Sequence, residues 1–390
     1  MSAGIVIVGG GLAAAKTVTA YREAGGKEPL RMLTADFSFP YHRPPLSKRY
    51  LRGEIDASGT LVEQPDFYAQ HDCRCDLETT VVAVHDGEVE LSSDVRVPFD
   101  RLVIASGASP RQLEVPGGDL GGVYTLRTLA NSTSIRERAA ESRRAFIVGS
   151  NFIGLETAAS LTQLGVEVTL CDRGDQLFRA LETPAYSQYL RELYEEKGVE
   201  LLFGDEVAEI RGDGRIASVV TRGGEERDAD LLIAGIGVVP NTTLVEGAGI
   251  DVDDGVLVSP RFETSRDGVY AVGDVARFHD PIFMRRRRIE HWSNANYQGG
   301  ELGKILAGEG HGYDTVSSFF SEIFGASIRF FGDSTGHDDV VQHGDFREGK
   351  AVCLHTTEGR IVSALTMGQE DDAVDRIKEL IRDRAPVGEF

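Results

Sequence analysis

The chain has 390 residues, too many for one ordinary hydrophobic core, so two or three domains are expected. Its 41% hydrophobic and 26% charged residues are the balance of a soluble globular protein, and no apolar run approaches the ~20 residues of a membrane helix. A net charge of −21, from 62 Asp+Glu against 41 Lys+Arg, argues against nonspecific nucleic-acid binding.

Met1-Ser2-Ala3 runs straight into an apolar stretch. That leaves no room for a signal peptide, and a cytoplasmic protein is expected. Ile5-Val6-Ile7-Val8 reads as a buried parallel strand. Gly9-Gly10-Gly11 makes the turn, and a helix begins at Leu12, Ala13 and Ala14. Gly9-x-Gly11-x-x-Ala14 is a dinucleotide fingerprint. Gly9 permits the tight turn, Gly11 lets the backbone approach a pyrophosphate, and Ala14 lets the helix pack on the strand. The free N–H groups at the helix start face the phosphates. A second strand, residues 30–34, ends near Asp36, about where a ribose-binding carboxylate is expected.

Pro40-Tyr41-His42-Arg43-Pro44-Pro45-Leu46-Ser47-Lys48 is a poor helix, because paired prolines force an extended or turn path until Leu46. It is either a solvated loop or a segment laid over a cofactor. Cys73, Cys75, Cys171 and Cys353 read as free thiols of a reducing compartment. Strand-like stretches follow at residues 79–84, 88–91 and 102–105. The last ends in Ala105-Ser106-Gly107-Ala108-Ser109-Pro110, small residues that suit a close pass by a cofactor and an exit to another domain.

A second nucleotide unit begins at Ala145-Phe146-Ile147-Val148-Gly149-Ser150-Asn151-Phe152-Ile153-Gly154-Leu155-Glu156. Again an apolar strand meets a turn and a helix, here 155–164. Asn151 replaces the middle glycine, and Asn tolerates left-handed backbone well enough for the turn to form. The next strand, 166–170, leads to Cys171-Asp172-Arg173. Asp172 stands where a carboxylate would hold a ribose 2′-hydroxyl bidentately, which favours NADH over NADPH; Arg173 pulls the other way. Strand 229–234 leads into Gly235-Ile236-Gly237, and residues 268–272 lead into Gly273-Asp274. That carboxylate could meet a ribityl hydroxyl or a phosphate-bound water.

These residues resemble the two-dinucleotide flavoprotein reductases, which carry an N-terminal FAD fingerprint, an inserted NAD(P)H fingerprint and a late Gly-Asp. Arg43-Pro44-Pro45-Leu46-Ser47-Lys48 is the most specific marker. It is similar to the FAD/NAD(P)H-dependent ferredoxin reductases serving Rieske dioxygenases and cytochromes P450, the putidaredoxin reductase group. Apoptosis-inducing-factor-like proteins are related. Leu126-Arg127-Thr128 and Glu290-His291-Trp292-Ser293-Asn294-Ala295 match the same group. The resemblance implies that Ala13, Asp36, Lys48, Val81, Arg127 and Asp274 hold FAD. It places Trp292 near the isoalloxazine and Glu156 near the nicotinamide. Arg43, Ala105, Gly107, Ile153, Gly237, Gly273 and His291 join the cofactor-binding set. Lys48 and Glu156 are expected to pair beside the flavin, and with Trp292 they form the catalytic set. Superfamily members that pass electrons through sulfur need cysteine just after the second strand, and this chain has none between Ala35 and Lys48.

The expected fold is α/β, with two Rossmann-like dinucleotide-binding domains of the glutathione-reductase kind plus a small C-terminal α+β domain. Residues 1–110 and 235–312 would bind FAD, 111–234 NADH, and 313–390 form the third domain. Phe319, Phe320, Phe324, Phe330 and Phe331 are read as its core. No metal site is expected. NADH would reduce FAD, and FAD would reduce a [2Fe-2S] ferredoxin or similar iron–sulfur protein; monomer and homodimer remain open. The rival readings are an apoptosis-inducing-factor-like signalling flavoprotein and a flavin oxidase or quinone reductase. Arg285-Arg286-Arg287-Arg288 is a dense cationic run in an acidic chain. As a strand it would turn Arg285 and Arg287 one way and Arg286 and Arg288 the other. At least one pair would then reach solvent and steer an acidic ferredoxin.

Overall fold

The computed structural model describes residues 3–390; Met1 and Ser2, part of the expected leaderless start, lie outside them. By compactness the chain divides into two units. The first comprises Met1–His42, Ala57–Ser109 and Val239–Thr315. The second comprises Arg43–Asp56, Pro110–Val238 and Val316–Phe390. Compactness thus groups Arg43–Asp56 and the C-terminal segment with the second unit, where the sequence suggested a boundary at 110 and a separate domain from 313.

The first unit is built on a parallel sheet in the order Val269–Ala271, Arg101–Ile104, Ile5–Val8, Leu30–Leu33, Cys73–Asp76. Ile5, Val6 and Ile7 are fully buried, as the unbroken apolar run requires of a strand covered on both faces. The helix Leu12–Glu23 covers one face, and the helix Trp292–Ala307 packs on it at close range. A Cβ on Gly299 would lie 2.3 Å from the Ala13 carbonyl oxygen, and one on Gly303 2.6 Å from that of Thr17. Glycine at both positions is therefore what lets the two backbones meet.

The second unit repeats the plan. Its parallel sheet runs Glu200–Phe203, Glu167–Asp172, Arg144–Val148, Leu231–Ala234, Val123–Thr125. In both sheets the central strand ends in the glycine turn, at the switch point where α/β sheets bind ligands. Each unit also carries a three-stranded antiparallel layer, Val81–His85, Glu88–Leu91 and Arg96–Pro98 in the first and Val207–Gly212, Ile216–Thr221 and Glu226–Asp228 in the second.

The C-terminal segment of the second unit forms a five-stranded antiparallel sheet in the order Ser318–Ile323, Ala326–Gly332, Arg360–Met367, Lys350–Thr357, Asp339–Asp345, closed by the helix Asp371–Arg382. Phe319, Phe330 and Phe331 are core residues and Phe324 is half-buried. Phe320 is 48% exposed, contrary to expectation, because alternation along Ser318–Ile323 points Phe319, Ser321 and Ile323 inward and Phe320 outward. No helix among the described residues is long and apolar enough to cross a membrane.

Candidate active site

In the first unit the turn after Ile5–Val8 has the geometry of a phosphate cradle. Gly9 sits at φ +116°, and a Cβ there would lie 2.2 Å from the Ala105 carbonyl oxygen. Gly11 is the N-cap of the following helix and has no side chain to cap it, so the first-turn N–H groups face outward for an anion. Leu12, Ala13 and Ala14 are buried behind the turn. Gly273, at φ +79°, closes on Ala13, where an added Cβ would come within 3.1 Å of the alanine methyl. Its N–H donates to the buried Gln298 Oε1 at 2.8 Å, which fixes the short 3₁₀ turn presenting Asp274.

Asp36 follows Leu30–Leu33, and its Oδ2 accepts from the Tyr41 hydroxyl at 2.6 Å. The Glu78 N–H donates to the Asp36 backbone carbonyl at 3.0 Å, and Val81 begins its strand three residues further on. Gly107 adopts φ +69° just beyond Ala105. The Trp292 indole N–H donates to His42 Nδ1 at 3.0 Å. His42 must then be neutral with its proton on Nε2, and burial does push its pKa down. Burial lowers His291 further, to about 4, against the opposing pull of the Asp274 charge.

The second cradle differs in detail. Gly149 sits at φ +99°, 2.5 Å in Cβ distance from the Gly235 carbonyl, and a Cβ on Gly154 would lie 1.8 Å from the Gly149 carbonyl. Asn151 is extended at φ −99°, so the left-handed conformation invoked for it is not used; Gly149 supplies the positive φ. Asn151 is exposed, and its side chain makes no cap bond to the helix Phe152–Gln163. The first-turn N–H groups, Ile153 among them, stay available. Gly237, at φ +97°, accepts at its carbonyl from the Arg111 N–H.

Asp172 is more occupied than expected. Its Oδ2 accepts from the Ser150 N–H at 2.7 Å and the Ser150 hydroxyl at 2.8 Å, and its Oδ1 accepts from the Gly174 N–H at 2.7 Å. Of about four lone-pair directions, one remains, enough for a single ribose hydrogen bond and not for the bidentate contact predicted. Beside it lies an open cavity of about 610 Å³ whose lining includes Arg173, Phe203, Asp205, Glu206, Arg222 and Glu225. Arg222 is tied to Glu206 at 2.9 Å, and Arg173 is exposed.

Of the extended and turn paths expected after Arg43, the segment takes the turn, a one-turn 3₁₀ helix at Pro44–Ser47. Two prolines suit its first positions, whose N–H groups have no partner in any helix. Arg43 precedes them in the helical region and is half-buried. Three serine hydroxyls hold this turn. Ser132, in the helix Leu129–Ala139, donates to the Leu46 carbonyl at 2.7 Å. Ser160 donates to that of Ser47 at 2.7 Å. The Ser47 hydroxyl itself donates to Glu156 Oε2 at 2.5 Å. Lys48 Nζ lies 2.6 Å from the same oxygen, with side-chain exposures of 13% for Lys48 and 6% for Glu156. Ser321 donates to the other oxygen, Oε1, at 2.8 Å. The structure thus brings Lys48 and Glu156 together as a desolvated ion pair. Arg127 stands half-buried at the entry to the helix Leu129–Ala139, its N–H held by Asn131.

Sequence reasoning passed over Ser47, Ser150, Ser321, Gln298 and the pairing of His42 with Trp292. Ser321 did carry a signal, being the polar residue among the alternate positions Phe319, Ser321 and Ile323.

The arginine run forms the strand Arg285–Arg288, but its faces do not divide as expected. Arg287 pairs with the fully buried Asp280 at 2.8 Å, and Arg288 pairs with Asp254 at 3.1 Å and with Glu290. One arginine from each face is therefore spent on the chain's own carboxylates, while Arg286 is exposed. All four cysteines are free, and no cluster of metal-binding side chains occurs among the described residues.

Two nucleotide cradles of one design define a nucleotide-dependent oxidoreductase, and the chain belongs to the pyridine nucleotide-disulphide oxidoreductase family, whose model matches residues 3–299. Members of this group use FAD and NAD(H). The chain is 32% identical to putidaredoxin reductase CamA of Pseudomonas putida, over 98% of this chain and 92% of that one. It is 30% identical to the ferredoxin–NAD(+) reductase subunit of the benzene 1,2-dioxygenase system of Pseudomonas putida, over 94% and 90% of the two chains. The reductase in a crystal structure of a covalent putidaredoxin reductase–putidaredoxin complex superposes with a TM-score of 0.94 at 31% identity, covering 98% of this chain and 94% of that one.

Proposed function

We propose that this chain is an NADH-dependent reductase that passes electrons through FAD to a [2Fe-2S] ferredoxin serving a cytochrome P450 or a Rieske oxygenase, in the cytoplasm. The observation that carries this reading is the pair of matched cradles, one per unit. The likeness to reductases of ferredoxin systems over nearly the whole chain supports the choice of acceptor.

Both cradles fit a dinucleotide: glycine at positive φ, a cap position that leaves the helix N–H groups open, and an acid at the end of the adjacent strand. In the first unit Gly9, Gly11 and the N–H groups of Leu12 and Ala13 would hold the FAD pyrophosphate, with Ala14, Ala105 and Gly107 packed behind. Asp36 would take the adenosine ribose beside Val81, and Asp274 the ribityl side. Trp292, braced by His42 and flanked by His291, would line the isoalloxazine. In the second unit Gly149, Asn151, Phe152, Ile153 and Gly154 would cradle NADH, with Asp172 on the ribose and the Arg173 cavity next to it; Gly237 would border this cradle. Arg43 and Arg127 would complete the FAD contacts. FAD supplies the exchange between two-electron and one-electron chemistry.

Lys48 would place a fixed cation where negative charge develops, in a site already desolvated. Glu156 keeps that ammonium oriented, and Ser47 ties the pair to the 3₁₀ turn. No cysteine stands in the segment after the second strand, so the electrons leave without a sulfur relay.

Anaerobic NADH titration of the purified holoprotein tests the reading. Bleaching of flavin absorbance, followed by reduction of an added [2Fe-2S] ferredoxin at many turnovers per second, is expected. Flavin reduction without transfer to any ferredoxin would overturn the choice of acceptor.

A further inference from the structure

The helix Phe152–Gln163 presents Phe152, Glu156 and Ser160 on one face, spaced one turn apart. Each meets a different partner within the second unit. Phe152 meets Phe319 edge to face at 4.7 Å between centroids, Glu156 meets Ser321, and Ser160 meets the Ser47 carbonyl. Phe319 and Ser321 are two apart on one strand, so they share its inward face. Ser321 is 1% exposed, and alternation places it where an apolar residue would pack. Its hydroxyl donates a hydrogen bond to Glu156 Oε1, while Lys48 and Ser47 occupy Oε2.

We propose that Ser321 is a positioning residue for the reductive half-reaction: from the C-terminal sheet, it fixes the rotation of the Glu156 carboxylate and thereby the site of the Lys48 ammonium. This rests on the assignment of Lys48 and Glu156 to the hydride-transfer site. A carboxylate gripped through one oxygen still turns about its last bond, and the ammonium follows it. A donor on the second oxygen removes that freedom. The C-terminal sheet is in this way part of the reductive machinery as well as a packing element.

The test compares Ser321→Ala, Ser321→Thr, Glu156→Gln and the double variant S321A/E156Q as holoproteins. Stopped-flow flavin reduction at saturating NADH should slow by about tenfold or more in S321A, the scale of one hydrogen bond to a charged group, with half-saturation by NADH unchanged. S321T, which keeps the hydroxyl, should recover most of the rate. In the E156Q background, S321A should add almost nothing. A readout without turnover is the side-chain carboxylate carbon resonance of Glu156 in ¹³C-labelled protein, assigned by its loss in E156Q. It should move in S321A and return in S321T. If alanine disturbs packing, Ser321→Cys keeps the volume with a weaker donor and should fall between. An impaired E156Q beside an S321A of wild-type rate and unmoved resonance would overturn the role of Ser321 alone. Wild-type flavin reduction by E156Q would overturn the assignment of Lys48 and Glu156 themselves.

Discussion

Single side chains here do two jobs, and the tests follow from that. Lys48→Ala should slow flavin reduction by roughly a hundredfold, the scale of losing one preorganised electrostatic partner. It also strands Glu156, which is only 5% exposed, so the melting temperature should fall, equivalent to about 3 kcal/mol. A variant that reduces flavin at wild-type speed would remove Lys48 from the chemistry. Asp172→Ala should likewise weaken NADH use and destabilise the fold, because it removes the acceptor of three hydrogen bonds, from the Ser150 and Gly174 N–H groups and the Ser150 hydroxyl; a change in NADH KM with an unaltered melting temperature would contradict the geometry. His355 is fully buried, and burial together with the neighbouring His337 pushes it down to about 4. The unfolded chain takes up that proton near pH 6.5, so between pH 6.5 and 4 the unfolded state binds more protons and stability falls as pH drops. The contribution reaches about 3 kcal/mol at the acid end of the window. Urea unfolding at pH 7 and 4.5 should show the loss, and His355→Gln should flatten it.

At the level of elements, glycine placement sets how closely helices approach. Gly299→Ala drives a methyl into the Ala13 backbone, whereas at the adjacent Gly300 an added Cβ meets nothing within 4 Å. The first substitution should cost a few kcal/mol and release FAD on dilution. The second should be neutral or stabilise by up to about 1 kcal/mol, since alanine favours helix. Equal effects at the two positions would mean that the helix contact is not what seats the fingerprint. The same elements show what could be read in advance. The apolar runs 5–8 and 145–148, the glycine turns and the acids behind them were legible because strand, turn and helix each have a local signature. The 3₁₀ turn Pro44–Ser47 was less so, because its shape depends on hydroxyls from Ser132 and Ser160, far away in sequence. Ser150 was hidden for a similar reason: its value lies in meeting Asp172, 22 residues on, and a motif reads only spacing. The left-handed conformation assigned to Asn151 failed because the neighbouring Gly149 absorbs the turn.

For the molecule as a whole, charge governs the meeting with an acceptor. The chain is strongly acidic, and in the arginine strand three carboxylates, Asp254, Asp280 and Glu290, answer Arg287 and Arg288. Steering by this strand should therefore be weaker than four adjacent arginines suggest. Arg286→Glu should raise KM for ferredoxin about threefold at low salt and leave flavin reduction alone. Arg287→Glu should instead lower the melting temperature, because Asp280 is fully buried and would lose its partner. If Arg286→Glu leaves ferredoxin kinetics untouched at low salt, the acceptor docks elsewhere.

The first unit's sheet has its outermost strand, Val269–Ala271, more than 160 residues downstream of the strand it completes, Arg101–Ile104. The helix that seals its fingerprint, Trp292–Ala307, comes later still. On a ribosome moving at about 5–20 residues per second, the open edge of Arg101–Ile104 waits roughly ten seconds or more for its neighbour. Throughout that interval one edge of an apolar parallel strand stands open, the kind of edge on which nascent chains aggregate. In the second unit's parallel sheet the corresponding wait is about half as long, since Leu231–Ala234 follows its partner Arg144–Val148 by 83 residues and its outermost neighbour, Val123–Thr125, is already made. Synthesis order therefore lets the second unit's parallel sheet form while that of the first is still waiting. Yield in a foreign host should depend on holdase chaperones, and on flavin supply only once residue 307 has emerged.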